Sequence, residues 1–446
     1  MTPRLPPLVA AVEMGYGHLR AARALADALG TKVTLVDRAP VAGKEEQRLW
    51  RASRRFYEIA SRASQLPGIG APLEALLEAL TSIPPLYPHR DLSAPTIQSR
   101  SLDRLIERGL GRGLADLLRD TGAPLVTTFF APALAAERFG VEEIYCVATD
   151  VDLNRAWAPR DPAKTRIVYL APTRRARRRL IAYGVPRERI EVTGFPLPEE
   201  RLGGEDLPTL RRDLAARLVR LDPKGVFRRQ VGAEVDHFLG DLPAGQEGRA
   251  PLAVFAVGGA GAQADLAAAL LPTLRPLIEQ GRLRLTLVAG IRREVAARFA
   301  AEVRAAGLES CLAPDVESAA GPVSERPVSI LLEAGHDTYF DRFHALLGEA
   351  DLLFTKPSEM VFFGALGLPL LLTRPVGVHE RYNRRWAIEN GAGLKMRDPR
   401  HAGDWLREYL AEGTLAAAAW FGYLRLPKFG LYRILERVRA GREQDR

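Results

Sequence analysis

The stretch Thr355–Gly393, TKPSEMVFFGALGLPLLLTRPVGVHERYNRRWAIENGAG, decides the fold. Leu352 to Thr355 reads as a buried strand. Lys356-Pro357-Ser358-Glu359 then opens a helix, with proline at an early position where its missing N–H costs nothing and Ser358 placed to cap. Gly367-Leu368-Pro369 stops that helix, and Leu370 to Leu372 forms a second buried strand. Glu380 begins another helix, which Gly391 and Gly393 end. Backbone N–H groups at such helix starts favour an anion by about 0.3–1 kcal/mol. Two successive strand-to-helix turns therefore open on one crevice, the place where parallel α/β sheets hold ligands.

The same grammar recurs upstream. Leu8 to Glu13 is a short apolar run, Met14-Gly15-Tyr16-Gly17-His18 a glycine turn, and Leu19 to Leu29 an apolar helix pattern, together a first strand–turn–helix unit. His18 stands at the helix entrance. Further strands are predicted at 32–37, 125–130, 143–149, 166–171 and 190–193. In the second half, Leu252 to Val257 leads into Gly258-Gly259-Ala260-Gly261-Ala262-Gln263, a turn of small residues whose backbone a phosphate can approach. It lacks the Lys-Ser/Thr ending of an ATPase loop, which excludes that class of nucleotide hydrolysis. Strands at 283–289, 328–332 and 351–354 follow.

The expected organisation is α/β with two Rossmann-like domains: residues 1–197, a connection with a helical insertion over 198–250, and residues 251–446 with tail helices at about 415–439. The tail helices can return to the N-terminal domain. A chain of 446 residues, 47% hydrophobic, is long enough for both cores. The two cysteines, Cys146 and Cys311, lie in or beside apolar segments far apart in sequence, which argues against a disulfide framework. No apolar run reaches the roughly 18–20 residues of a membrane span and no signal pattern opens the chain, so a cytoplasmic protein is expected.

The net charge of +9 invites an anionic partner. The Arg174 to Arg179 run has no aromatic interleaving, so it reads as a solvated helix face and not as a nucleic-acid site. The helical pattern from Glu45 to Leu80 interleaves Trp50, Phe56 and Tyr57 with Arg48, Arg51, Arg54 and Arg55. Such a face suits an anionic membrane surface, which would make the protein peripheral to the inner membrane face, or it packs on its own domain with a solvated arginine side. Thr127, Thr128 and Phe129 reach a crevice edge, and Asp150 falls just past a strand's carboxyl end, where a functional carboxylate is expected.

Four landmarks stand in a telling order: Gly15-Tyr16-Gly17-His18, Val192-Thr193-Gly194-Phe195-Pro196, Phe255 to Gly261, and Thr355-Lys356-Pro357 through Glu380, Asn383 and Gly391-Ala392-Gly393. Together they resemble the GT-B glycosyltransferases, in particular the group of the peptidoglycan N-acetylglucosaminyltransferase and the glycosyldiacylglycerol synthases. The resemblance implies two Rossmann-like domains facing a cleft, with an acceptor on the first and a nucleotide-sugar, UDP-linked, on the second. It implies no cofactor beyond that co-substrate and no metal. His18 is then the general base or an acceptor-positioning group, and Asp150 orients His18 or takes the proton. Gly15, Tyr16, Gly17 and Thr128 fall on the acceptor side. Gly258, Gly259, Gly261, Gln263, Lys356, Ser358, Glu359, His379, Glu380 and Asn383 fall on the donor side.

The sequence also departs from that group. Phe362 occupies the position of its ribose-binding Glu, Pro357-Ser358-Glu359 replaces a glycine-rich turn, and Val378-His379-Glu380 stands where Gly-Gln-Glu is common. Glu359 or Glu380 is the candidate substitute for the ribose contact. Two other activities fit the same fold: a nucleotide-sugar epimerase, which needs no acceptor, and a GT-B-like binding protein without chemistry.

Overall fold

Every predicted strand forms, because each is an apolar run short enough for a sheet and is covered on both faces, which is the habit of parallel strands. The structure, a computed structural model, describes residues 6–63, 83–242, 249–256, 265–313, 326–375 and 377–444. The first six strands are β1 (Leu8–Ala11), β2 (Val33–Leu35), β3 (Leu125–Thr127), β4 (Ile144–Val147), β5 (Val168–Ala171) and β6 (Ile190–Val192). They pair in parallel in the order β2-β1-β3-β4-β5-β6. The next six are β7 (Leu252–Ala256), β8 (Arg284–Gly290), β9 (Val328–Leu332), β10 (Leu352–Thr355), β11 (Leu370–Leu372) and β12 (Gly393–Lys395). These also pair in parallel, in the order β12-β11-β10-β7-β8-β9. Both are doubly wound Rossmann-like sheets. The order reverses between β1 and β3 in the first and between β7 and β10 in the second, and the carboxyl ends beside such a reversal are where this architecture binds ligands.

The chain forms two compact units: Met1–Leu197 with Pro375–Asn383 and Pro427–Arg446, and Pro198–Arg374 with Arg384–Leu426. This division differs from cuts at 197 and 251 in two places. The helical insertion expected within 198–250 includes helix Pro208–Leu221, which is part of the second unit. Arg217 on that helix is fully buried, donating to the carbonyls of Leu347, Ala350, Leu366 and Gly367. Burial pulls its guanidinium down to about 10, yet four carbonyl acceptors keep its protons engaged. Arg220 and Arg249 meanwhile hold Asp351, at 2.7 and 2.9 Å.

The tail is divided between the units. Pro427 ends the helix pattern as predicted, giving helices Thr414–Arg425 and Gly430–Gln444. The latter belongs to the first unit. Gly430 lies so close to the backbone of Phe195 that a Cβ would come within 2.2 Å of its carbonyl oxygen, and Arg437 sits over the Tyr145 ring at 5.8 Å. In the second unit, Gly422 packs on Gly364 in the same way, where a Cβ would meet the carbonyl at 2.3 Å.

The basic aromatic pattern forms helix Lys44–Ala63 in the described residues, and the side chains of its Arg54, Arg55, Phe56 and Tyr57 lie outside the description. Trp50 is 2% exposed within the first unit's core cluster, and Glu46 receives its Nε1–H at 3.2 Å. Trp50 therefore gives no membrane-facing surface. The part of the predicted helix beyond residue 63 lies outside the described residues. Among those described, no helix is long and apolar enough to cross a membrane.

Lys428, at the start of the returning tail, is half-buried, and burial lowers its ammonium to about 8. Holding that charge disfavours the folded state below pH 8, and the cost vanishes as pH rises toward 10.5, where the unfolded chain also loses the proton. Lys428→Met is expected to stabilise the protein at pH 7 by on the order of 2 kcal/mol, with the gain gone above pH 10.5. Urea melts at both pH values check it.

Candidate functional site

The carboxyl end of β1 delivers Gly15 and His18, and that of β3 delivers Thr128. Gly15 caps helix Tyr16–Ala28 at φ 113°, a conformation that glycine alone adopts without strain. An added Cβ would meet nothing within 4 Å, so the requirement is conformational and not one of space. Tyr16 and Gly17 form the first turn, and His18 follows, half-buried.

His18 and Thr128 exchange two hydrogen bonds across the reversal point. The Thr128 hydroxyl donates to the His18 carbonyl at 2.8 Å, and His18 Nδ1 lies 2.8 Å from the Thr128 carbonyl. A carbonyl oxygen only accepts, so the proton in the second bond is carried by Nδ1. In the neutral ring the lone pair then resides on Nε2. Thr149 Oγ1 lies 3.1 Å from the same Nδ1, and Phe129 meets the imidazole edge-on with centroids 4.7 Å apart. The ring is thus held in one tautomer and one plane, the condition a general base needs.

Asp150 follows the end of β4, where the sequence places it, but its partner is different from the one expected. Its Oδ1 accepts from Asn383 Nδ2 at 3.0 Å, while Asn383 Oδ1 accepts the backbone N–H of Val151 at 2.9 Å. The orienting contacts at His18 Nδ1 come from Thr128 and Thr149. Asn383, expected on the donor side, is fully buried in the first unit and acts as the brace of the Asp150 turn. Both its amide atoms are occupied in that task.

The loop that carries Asp150 is fixed from beneath. Asp152, fully buried, accepts from Arg179 Nε at 2.8 Å, Arg179 Nη2 at 3.0 Å and Arg175 Nε at 2.6 Å. Thr173 Oγ1 donates to Val151 O and Tyr183 OH to Leu153 O. The arginine run is therefore only half a solvated face: Arg174, Arg177 and Arg178 are exposed, whereas Arg179 is wholly buried. No feature of the sequence separates Arg179 from its neighbours except its register with the apolar Ala176 and Leu180.

In the second unit, β10 ends at Thr355, and Lys356, Ser358 and Glu359 follow, each partly exposed. The expected helix is a 3₁₀ helix, Glu359–Leu366. Ser358 does not cap it with its side chain, and the Ser358 N–H donates to the Lys356 carbonyl at 2.8 Å. That N–H is therefore directed into the turn and not outward toward an anion. Phe362 is 3% exposed and packs on Trp386 at 5.3 Å between centroids, a core role that explains an aromatic there. Gly258, Gly259, Gly261 and Gln263, after β7, lie outside the described residues. His379, exposed, and Glu380, 2% exposed, open helix Val378–Glu389 and fall in the first unit.

The first unit thus brings together His18, Thr128, Asp150 and Asn383, joined by Thr149, which sequence reasoning missed although it directly precedes Asp150. Lys356, Ser358 and Glu359 form a separate group in the second. Among the described residues, no group of three or more His, Cys, Asp or Glu side chains is arranged to hold a metal ion.

Residues 245–421 match a family model described as a domain of unknown function (DUF6938). No curated protein sequence matches. Among solved structures, the chain is similar to UDP-GlcNAc 2-epimerase from Neisseria meningitidis bound to UDP-GlcNAc, at 12% identity and TM-score 0.47 over 97% of this chain and 99% of that one. It is similar to MurG of Acinetobacter baumannii, at 13% identity and TM-score 0.48 over 98% and 100%. It is similar also to CalG4, the calicheamicin glycosyltransferase, at 12% identity and TM-score 0.49 over 97% and 98%.

Removing Arg179 leaves the buried Asp152 carboxylate with the partly exposed Arg175 as its remaining cation, and breaking such a buried pair costs up to about 3–5 kcal/mol. Arg179→Met is expected to lower stability by that amount in denaturant melts, whereas Arg178→Met, on the exposed side, changes it by less than about 0.5 kcal/mol. Equal, small effects would show that the Asp152 clamp does not hold the loop.

Proposed function

We propose that the chain is a nucleotide-sugar-dependent glycosyltransferase, with a uridine diphosphate sugar as donor and no metal requirement. The observation that carries the reading is the His18 Nδ1 contact to the Thr128 carbonyl, at 2.8 Å. It sets Nε2 as the basic nitrogen at the carboxyl edge of the first sheet, where a bound hydroxyl would lose its proton as it attacks the sugar's anomeric carbon. The imidazolium formed keeps its Nδ1–H on the same carbonyl, a bond that strengthens as charge develops. Such a base contributes a factor of roughly 10²–10⁴.

The donor side is supported by topology. In sequence the glycine-rich stretch follows β7 and Lys356 follows β10, the two adjacent strands at which the second sheet reverses order. A diphosphate seated there would meet the Lys356 ammonium, which stabilises the leaving group as its charge grows. With Phe362 committed to packing, Glu359 at the same strand end is the carboxylate proposed for the ribose hydroxyls.

Calorimetry with UDP-, GDP- and dTDP-sugars tests the donor, and product analysis tests the chemistry. The UDP-sugar is expected to bind without added metal and to be consumed only when an acceptor is present. Isomerised sugar without acceptor would establish an epimerase instead, and binding without turnover a ligand-holding protein. His18→Ala is expected to lower kcat by about 10²–10⁴-fold while leaving donor affinity within about twofold. Parallel loss of both would contradict the assigned role.

A further inference from the structure

A polar cavity of about 310 Å³ opens in the first unit beyond the ends of β1 and β2. Its walls are Glu13, Asp37, Arg38, Gln47, Trp50 and Arg51. The volume is at the lower end of the roughly 300–1,000 Å³ of small-molecule sites. None of these residues takes part in the His18 cluster.

The cavity is built and not incidental. One wall is the entrance of helix Lys44–Ala63, and the buried Glu46 fastens it. Its carboxylate receives Trp50 Nε1–H at 3.2 Å, Gly111 N–H at 2.8 Å and Gly113 N–H at 3.0 Å. The contact is close enough that a Cβ on Gly113 would come within 2.0 Å of the Val41 carbonyl. Gln47 is pinned as well, donating from Nε2 to the Ala42 carbonyl at 2.9 Å, so its amide oxygen is the atom that remains to accept. On the opposite wall Arg38 pairs with Glu13 and lies 3.7 Å from Asp37, whose side chain is only 5% exposed. A site fixed before a ligand arrives loses little conformational freedom on binding.

Its charge selects the class of ligand. Glu13 and Asp37 balance Arg38 and Arg51, so the lining is formally neutral. A net anion would face two carboxylates and a net cation two guanidinium groups, each a repulsion in a partly desolvated pocket. A hydroxyl group meets both, because it donates to a carboxylate and accepts from a guanidinium. We infer that this cavity binds a neutral polyhydroxylated group, a saccharide of one or two rings. The inference stands on residues separate from those of the transfer reading, and neither depends on the other.

Saturation-transfer NMR on the full chain, with methyl glucoside, N-acetylglucosamine and maltose as neutral probes and glucuronate and glucosamine as their charged counterparts, tests it. At least one neutral probe is expected to bind and to do so more tightly than either charged one. Gln47→Ala with Arg51→Ala, both outside the core, is expected to weaken binding at least tenfold with an unchanged thermal melt. Gln47→Glu, which gives the cavity one net negative charge, is expected to shift preference toward glucosamine. No neutral probe binding, a charged probe binding best to the unmodified chain, or affinity unaffected by these variants would overturn the inference. UDP-sugar binding, measured separately, is expected to be unaltered by them, so failure here and failure of the donor assignment are distinguishable.

Discussion

The reciprocal pair of hydrogen bonds between His18 and Thr128 is the constraint on which the candidate site depends. It joins the first helix turn to the end of β3 at the point where the sheet reverses order, and it does so twice, side chain to backbone in each direction. Each such bond is worth only about 0.5–1.5 kcal/mol to stability. Their value to chemistry is larger, because they fix which imidazole nitrogen is basic and where it lies. A carbonyl oxygen fills the place that a carboxylate takes in the better-known catalytic arrangements, so the tautomer is set without placing a full negative charge beside the ring.

The neighbouring loop shows the same economy. Asp150 is braced by Asn383, the loop backbone is tied by Thr173 and Tyr183, and Asp152 is clamped by two arginines. Apart from Arg179 Nη1, which has no hydrogen-bond partner, these buried polar groups are engaged, and that network makes the turn rigid and specific in a way that apolar packing alone would not. The second unit follows the rule with Arg217, whose guanidinium is dissolved in four backbone carbonyls at the turn following the 3₁₀ helix and at the end of the preceding helix.

Much of this architecture is legible in the sequence. Eleven apolar runs give eleven strands, since parallel strands covered on both faces need continuous Leu, Val and Ala. The twelfth, Gly393–Lys395, has three residues and only one large apolar side chain, too little to distinguish it from a turn. The glycine turn with His18, and Asp150 beyond β4, were visible because the ends of strands are where function collects. The parts played by Thr149 and Arg179 and the bracing role of Asn383 were not, because each acts on a partner removed in sequence: 131 residues separate Thr149 from His18 and 233 separate Asn383 from Asp150. Pairings of that kind are products of the tertiary fold. The same reason hid the packing role of Phe362 and the burial of Trp50, both of which read locally as ligand or surface features.

The protonation of a single ring tests the account most directly. Two-bond ¹H–¹⁵N correlation NMR on ring-labelled histidine, assigned by comparison with His18→Ala, reports which nitrogen carries the proton in the neutral form. The account predicts Nδ1–H at His18, with a shift toward the other tautomer when Thr149→Val and a weakened Thr128 carbonyl contact are combined in one variant. An Nε2–H tautomer in the unmodified protein would contradict it, because the nitrogen assigned as the base would then be a donor.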